Sequence, residues 1–144
     1  MYKKILVPID GSELSARALE QAGTLARQLG AGVTVLTVTP RVAALSVEPF
    51  AATAMAEQSQ ELYGRASRIL EEALGALQPF GVAVEATHIQ DDDPYKAIID
   101  AARQHGCDLI AMASHGRSGI AAVVLGSVTT KVLTHSKIPV LVYR

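Results

Sequence analysis

At 144 residues, with 49% hydrophobic and 19% charged side chains, the chain matches one packed domain, residues 1–144, and excludes a disordered or fibrous segment. Lys+Arg 13 against Asp+Glu 14 leave a formal net charge of -1, which offers no basic field for nucleic acid and no polybasic run for an anionic membrane. No apolar run approaches a bilayer span, and Met1-Tyr2-Lys3-Lys4 leads into a strand pattern rather than a leader with a cleavage site, so a cytoplasmic location is expected.

Five β-rich runs alternate with helical patterns, the rhythm of βαβ units. The first run, Lys4 to Ile9, leads into Asp10-Gly11-Ser12-Glu13, which has the form of a helix capping box. From Ser12 to Leu29, the residues Leu14, Ala18, Ala22, Leu25, Ala26 and Leu29 recur at helical spacing, and Gly30 supplies the left-handed turn that ends a helix. The second strand spans Gly32 to Val38. After it, Thr39 to Phe50 carries two prolines without clean periodicity and reads as a long connection at the carboxyl end of a strand, where loops border ligands.

A second helical pattern extends from about Thr53 to Leu77 and buries Leu62, Ala66, Ile69, Leu70, Ala73 and Leu77. The third strand, Val82 to His88, precedes Asp91-Asp92-Asp93-Pro94. There Asp93 is placed to cap a helix that opens on Pro94, with carboxylates beside the positive end of its dipole. A cation site built from the three aspartates is disfavoured, because adjacent residues do not converge on one ion. The last strands are Asp108 to Ala113 and Ile138 to Tyr143. Consecutive apolar positions in Ile5-Leu6-Val7 and Leu109-Ile110-Ala111-Met112 suit strands covered on both faces, which makes the fold an α/β domain with an open parallel sheet and helices on both sides.

The single cysteine, Cys107, opens an apolar run and reads as a buried structural thiol. The histidines His88, His105, His115 and His135 show no metal-ligand spacing, and surface or supporting roles are expected of them. No nucleophile elbow, Walker lysine or dinucleotide fingerprint is present, which argues against triad hydrolysis, a motor ATPase and hydride transfer. Chemistry is concentrated instead in Met112-Ala113-Ser114-His115-Gly116-Arg117-Ser118-Gly119 and in Gly126-Ser127-Val128-Thr129, which opens a helical pattern. A strand that feeds a glycine loop and then a helix start has the form of a phosphate cradle, since glycines let the backbone approach and the helix N-terminus favours negative charge; the alternative is that the glycines simply turn the chain from strand to helix, as in many parallel-sheet proteins. Ser127 adds a hydroxyl donor, and Arg117 is the cation within the loop.

The chain resembles the universal stress protein family over essentially its entire length. The carriers are Ile5-Leu6-Val7-Pro8-Ile9-Asp10-Gly11-Ser12, Asp108 to Gly116, Gly126-Ser127-Val128 and Ile138-Pro139-Val140-Leu141-Val142. The pattern of nucleotide-binding members is glycine, two residues, glycine, nine residues, glycine, then serine or threonine. Gly116, the spacing of nine, Gly126 and Ser127 match it, and Ala113 replaces the first glycine. The resemblance implies a five-stranded sheet of order 3-2-1-4-5, Rossmann-like and of the adenine nucleotide alpha hydrolase type, with a ligand crevice at the carboxyl ends of the first and fourth strands.

By the same resemblance, Asp10 contacts ribose or a phosphate-bound metal, Pro8 and Val38 border adenine, and Met112 and Ala113 pass beneath the nucleoside. Gly116, Gly126, Ser127 and Val128 then offer donors to the phosphates, with Thr129 in support. Two demands on position 113 lead to different outcomes. If it needs positive φ, alanine costs roughly 1–2 kcal/mol against glycine; if it needs only a small side chain, one methyl is tolerated. Without the resemblance, Asp10 reads as a helix cap, and Val38 and Met112 as core.

The expected ligand is ATP or a related adenine nucleotide, accompanied by magnesium, in a stress-response regulatory module with at most slow hydrolysis. The resemblance further implies a homodimer through antiparallel pairing of Ile138 to Tyr143, an apolar strand at the sheet edge. The alternative is a nucleotide-independent dimeric adaptor acting on a protein partner that the sequence does not identify.

Overall fold

The expected parallel sheet is present in the computed structural model, which describes residues 1–42, 49–116 and 125–144. In chain order the elements are β1 (Lys4–Pro8), α1 (Glu13–Leu29), β2 (Gly32–Thr39), α2 (Pro49–Leu77), a single 3-10 turn (Gln78–Phe80), β3 (Val84–Gln90), α3 (Pro94–Gln104), β4 (Leu109–Ala113), α4 (Ser127–His135) and β5 (Val140–Tyr143). All four strand pairings are parallel, in the order β3-β2-β1-β4-β5. The order reverses between β1 and β4, the switch point at which such sheets open a crevice.

Alternation along the buried strands divides the core in two. Ile5, Val7, Val33, Val35, Leu109 and Ala111 face α1 and α2, where Leu19, Ala22, Ala26, Ala73 and Leu77 meet them. Leu6, Leu36, Ile110 and Met112 face the other way, onto Ile98, Ala101 and Ala102 of α3 and Val132 of α4. Both faces of β1 and β4 are thus covered, which is why their sequences are apolar at consecutive positions. Cys107 lies in the second cluster, 5% exposed, and burial pushes its thiol pKa up, the condition of an inert structural cysteine.

Local chemistry sets the element ends. Ser12 is the N-cap of α1, its Oγ accepting the Ser15 N–H at 3.2 Å, and Gly30 ends the helix at φ 66 in the left-handed region. β3 starts at Val84 rather than Val82, because the 3-10 turn and Gly81 come first and the ladder to β2 opens at Val33↔Val84. β5 starts at Val140 rather than Ile138. The Ser136 Oγ accepts the Ile138 N–H at 3.0 Å and donates to the Ile138 carbonyl at 2.7 Å, holding that residue in a turn, and Pro139 has no N–H for a ladder. α2 extends back to Pro49, four residues before the expected start; 43–48 of the long connection lie outside the described residues.

The acidic run before α3 acts as three separate braces. The Asp91 carboxylate accepts the Asp93 N–H at 2.9 Å, and that of Asp92 accepts the Arg41 N–H at 3.0 Å. Asp93 occupies the N-cap position, but its side chain makes no cap hydrogen bond and lies 3.3 Å from the Lys96 ammonium. Each carboxylate thus has a different partner.

Candidate functional site

Three strands end on one crevice. Pro8 closes β1, Val38 is the penultimate residue of β2, and Met112 and Ala113 close β4; around them lies a cavity of about 420 Å³. All ten residues singled out from the sequence line it: Pro8, Asp10, Val38, Met112, Ala113, Gly116, Gly126, Ser127, Val128 and Thr129. Its volume falls within the roughly 300–1,000 Å³ of small-molecule clefts. Arg117 and the spacer between the two glycine segments lie at 117–124, outside the described residues.

Asp10 is held at the mouth by the turn that follows it. Gly11 takes φ 82, a conformation that glycine adopts without strain, and so turns the chain from β1 into α1. The Asp10 Oδ1 accepts the Ser12 N–H at 2.9 Å, while the Asp10 N–H reaches the Ser15 Oγ at 3.4 Å. Ser12 is therefore the cap of α1, and Asp10 stabilises the turn before it. The reading of Asp10 as the helix cap is thereby corrected, and its carboxylate, half-buried, lines the cavity.

Ala113 carries no backbone strain. Among the described residues no non-glycine residue has positive φ, and Ala113 is the extended end of β4, 7% exposed. Of the two demands weighed above, positive φ is not met here, and Ala113 lines the cavity in an extended conformation. The Thr129 hydroxyl, itself buried, donates to the Ala113 carbonyl at 2.9 Å and anchors the first turn of α4 to the strand.

The glycines of the cradle have a different use from that of Gly11. Gly126 has φ -71 and is the N-cap of α4. A Cβ there would lie 2.9 Å from the His115 Cβ and 3.1 Å from its Cα, so absence of a side chain lets the two segments pack together. Its N–H donates to the Ser114 carbonyl at 2.7 Å and braces the loop. The donors that helix geometry leaves without an intrahelical acceptor are the N–H groups of Ser127, Val128 and Thr129. With Ser127 they line a polar end of the cavity. The N-terminus of α3 enters it too, through Pro94, which adds a second positive helix end.

The cavity also recruits Ile9, Ser15, Leu36, Pro94, Ile98 and His115, which the motif reading left out. His115 was expected in a surface or supporting role; it is half-buried in the lining, with its Nδ1 3.1 Å from the Ser114 Oγ. The other histidines lie outside the lining. His88 pairs with the Thr39 hydroxyl at 2.6 Å, His105 lies 3.4 Å from the Glu85 carboxylate, and His135 is 2.9 Å from the Lys131 carbonyl. Among the described residues no group of three His, Cys, Asp or Glu side chains is arranged to hold a metal ion, and no helix is long and apolar enough to cross a membrane.

Comparison with known proteins agrees with this architecture. The universal stress protein family matches residues 1–144. Universal stress protein YxiE of Bacillus subtilis is 33% identical over 150 residues, covering 100% of both chains. The solved structure of MJ0577, a universal stress protein of Methanocaldococcus jannaschii, superposes with a TM-score of 0.84 at 33% identity, covering 99% of this chain and 95% of that one. A universal stress protein solved in complex with cAMP superposes with a TM-score of 0.73 at 26% identity, covering 99% of this chain and 97% of its own. The chain belongs to the universal stress protein family.

Proposed function

We propose that this chain binds an adenine nucleotide, ATP or a close relative, in the cavity at the carboxyl ends of β1, β2 and β4, and acts as a regulatory module of a stress response. The observation that carries the reading is the union, in one cleft of about 420 Å³, of an apolar slot, a single carboxylate and a helix N-terminus. Pro8, Val38 and Met112 suit a flat base, Asp10 suits ribose hydroxyls, and the first turn of α4 suits phosphate oxygens. The bound cAMP of the structural relative supports the same ligand class. Gly116 and Gly126 fit the reading as well, since a Cβ at 116 would meet the Asp10 carboxylate and one at 126 would meet His115, each within 3.0 Å.

The ionisable side chains in the described lining are Asp10 and His115. Magnesium would arrive with the triphosphate, and Asp10 is the carboxylate placed to share it or to hold the water around it. With so little acid–base machinery in the described lining, any hydrolysis is expected to be slow. The ligand's effect is exerted instead through the surface around the cleft. Dimerisation through β5 is part of the proposal: β5 is an edge strand pairing with β4, and Leu141 within it is 36% exposed.

The test is calorimetric titration of nucleotide-stripped protein with ATP and magnesium, with Gly126→Val as the blocked control and Ser127→Ala as a milder variant that leaves the packing intact. Saturable binding, weakened by Ser127→Ala and abolished in Gly126→Val, is the expected result. Absence of binding by folded wild-type protein would overturn the reading and leave a nucleotide-independent adaptor.

A further inference from the structure

We infer that Gly116 is a positioning residue for the Asp10 carboxylate, so that a glycine of the loop after β4 serves the polar group at the end of β1. Gly116 is not among the glycines with positive φ, so conformational freedom is not what its position demands. The space its missing side chain would fill is taken. A Cβ at 116 would lie 2.3 Å from the Asp10 Oδ2 and 3.4 Å from its Cγ, the first well inside the 3.0 Å that real Cβ contacts essentially never breach.

The carboxylate has little room to yield. Its Oδ1 is engaged by the Ser12 N–H at 2.9 Å, in the turn that leads into α1, and the backbone on either side is fixed by the Ser15 Oγ contact and by Gly11 at φ 82. Rotating the carboxylate away from Gly116 would give up the hydrogen bond to Ser12. Asp10 thus reaches across the β1/β4 switch point, with one oxygen on the turn before α1 and the other against the loop that follows β4. A glycine that serves only the phosphates would matter to the triphosphate end of a ligand. One that seats Asp10 matters to the nucleoside end, and to the protein even when no ligand is bound.

A double-mutant cycle over Gly116→Ala and Asp10→Ala distinguishes the two. Binding of adenosine and of ATP is measured by calorimetry, and the melting temperature is measured without ligand. Gly116→Ala is expected to weaken adenosine and ATP by the same factor, about tenfold, and to lower the melting temperature by about 4 °C. Added to Asp10→Ala, it is expected to change none of these by more than about twofold in affinity or 1 °C, because the colliding oxygen is gone. Weakening of ATP with adenosine unaffected, or equal losses in both backgrounds, would overturn the inference. The binding arm rests on the nucleotide reading, and the melting arm does not. If wild-type protein binds neither ligand, non-additive melting shifts still support the seat and additive ones overturn it.

Discussion

Thr129 and Ala113 are joined by a hydrogen bond of 2.9 Å from the hydroxyl to the carbonyl, which ties the first turn of α4 to the last residue of β4. Both residues are buried, at 2% and 7% exposure, so nothing in solvent replaces the bond readily. Thr129→Val keeps the shape and removes the donor. It is expected to cost about 1–2 kcal/mol in urea unfolding and to weaken nucleotide binding by loosening the helix terminus.

The extended conformation of Ala113 makes the reverse of the family substitution unprofitable. Ala113→Gly relieves no positive φ, because there is none to relieve. Nucleotide affinity is expected to change by less than about threefold, while stability falls by about 0.5–1 kcal/mol as a strand residue gains unfolded-state freedom. Calorimetry and denaturant unfolding of the same preparation read both numbers.

Asp108 fastens the start of β1 to the start of β4. Its carboxylate accepts the Lys3 N–H at 2.9 and 3.1 Å and the Lys4 N–H at 3.0 Å. Burial pushes its pKa up, but these N–H groups outweigh that effect and hold it below the ordinary carboxylate value. A folded pKa below the unfolded one contributes stability that is fully present above the unfolded value and lost as pH falls through the folded value. Asp108→Asn is therefore expected to flatten the acid limb of the stability–pH curve while lowering stability at neutral pH.

His88 gives a second limb at milder pH. Burial lowers its pKa, and the neutral ring is held by the Thr39 hydroxyl at 2.6 Å and by the edge-on Tyr63 ring, with centroids 5.0 Å apart. The unfolded chain binds the proton more readily, so stability rises with pH between the folded and unfolded values and is lost on acidification through that window. His88→Gln is expected to reduce the slope of melting temperature against pH on the acid side of the ordinary histidine value.

The β5 edge is testable by charge. Leu141 faces outward on β5 at 36% exposure, and Leu141→Lys is expected to shift sedimentation from dimer to monomer with the melting curve little changed. An unchanged sedimentation coefficient would overturn the proposed dimerisation through β5.

Much of the architecture was legible because burial on both faces of a strand leaves a mark in the chain. Ile5-Leu6-Val7 and Leu109-Ile110-Ala111-Met112 announced two-sided strands, and the stripe from Leu14 to Leu29 with Gly30 announced α1 almost to the residue. The weaker boundaries had local causes. Val82 looks like strand, yet Gly81 and the preceding turn delay pairing until Val84, and Asp93 has the chemistry of a cap while its side chain lies beside Lys96. Pro94 and Ile98 gave no sign of lining a cleft, because helical spacing marks a residue as buried without saying what it is buried against.

By itself, the sequence determined the strand and helix alternation, the parallel class of the sheet and the glycine-rich segments that border the cavity. Those depend on periodicity, caps and backbone freedom, all of which act within a few residues. Which side chains share a cavity was decided only in three dimensions. The approach of Asp10 to Gly116, of Gly126 to His115 and of Thr129 to Ala113 depends on where the β1/β4 switch point brings distant segments. Tertiary structure also distinguished three glycines around the crevice: Gly11 has positive φ, while Gly116 and Gly126 have other atoms lying against them.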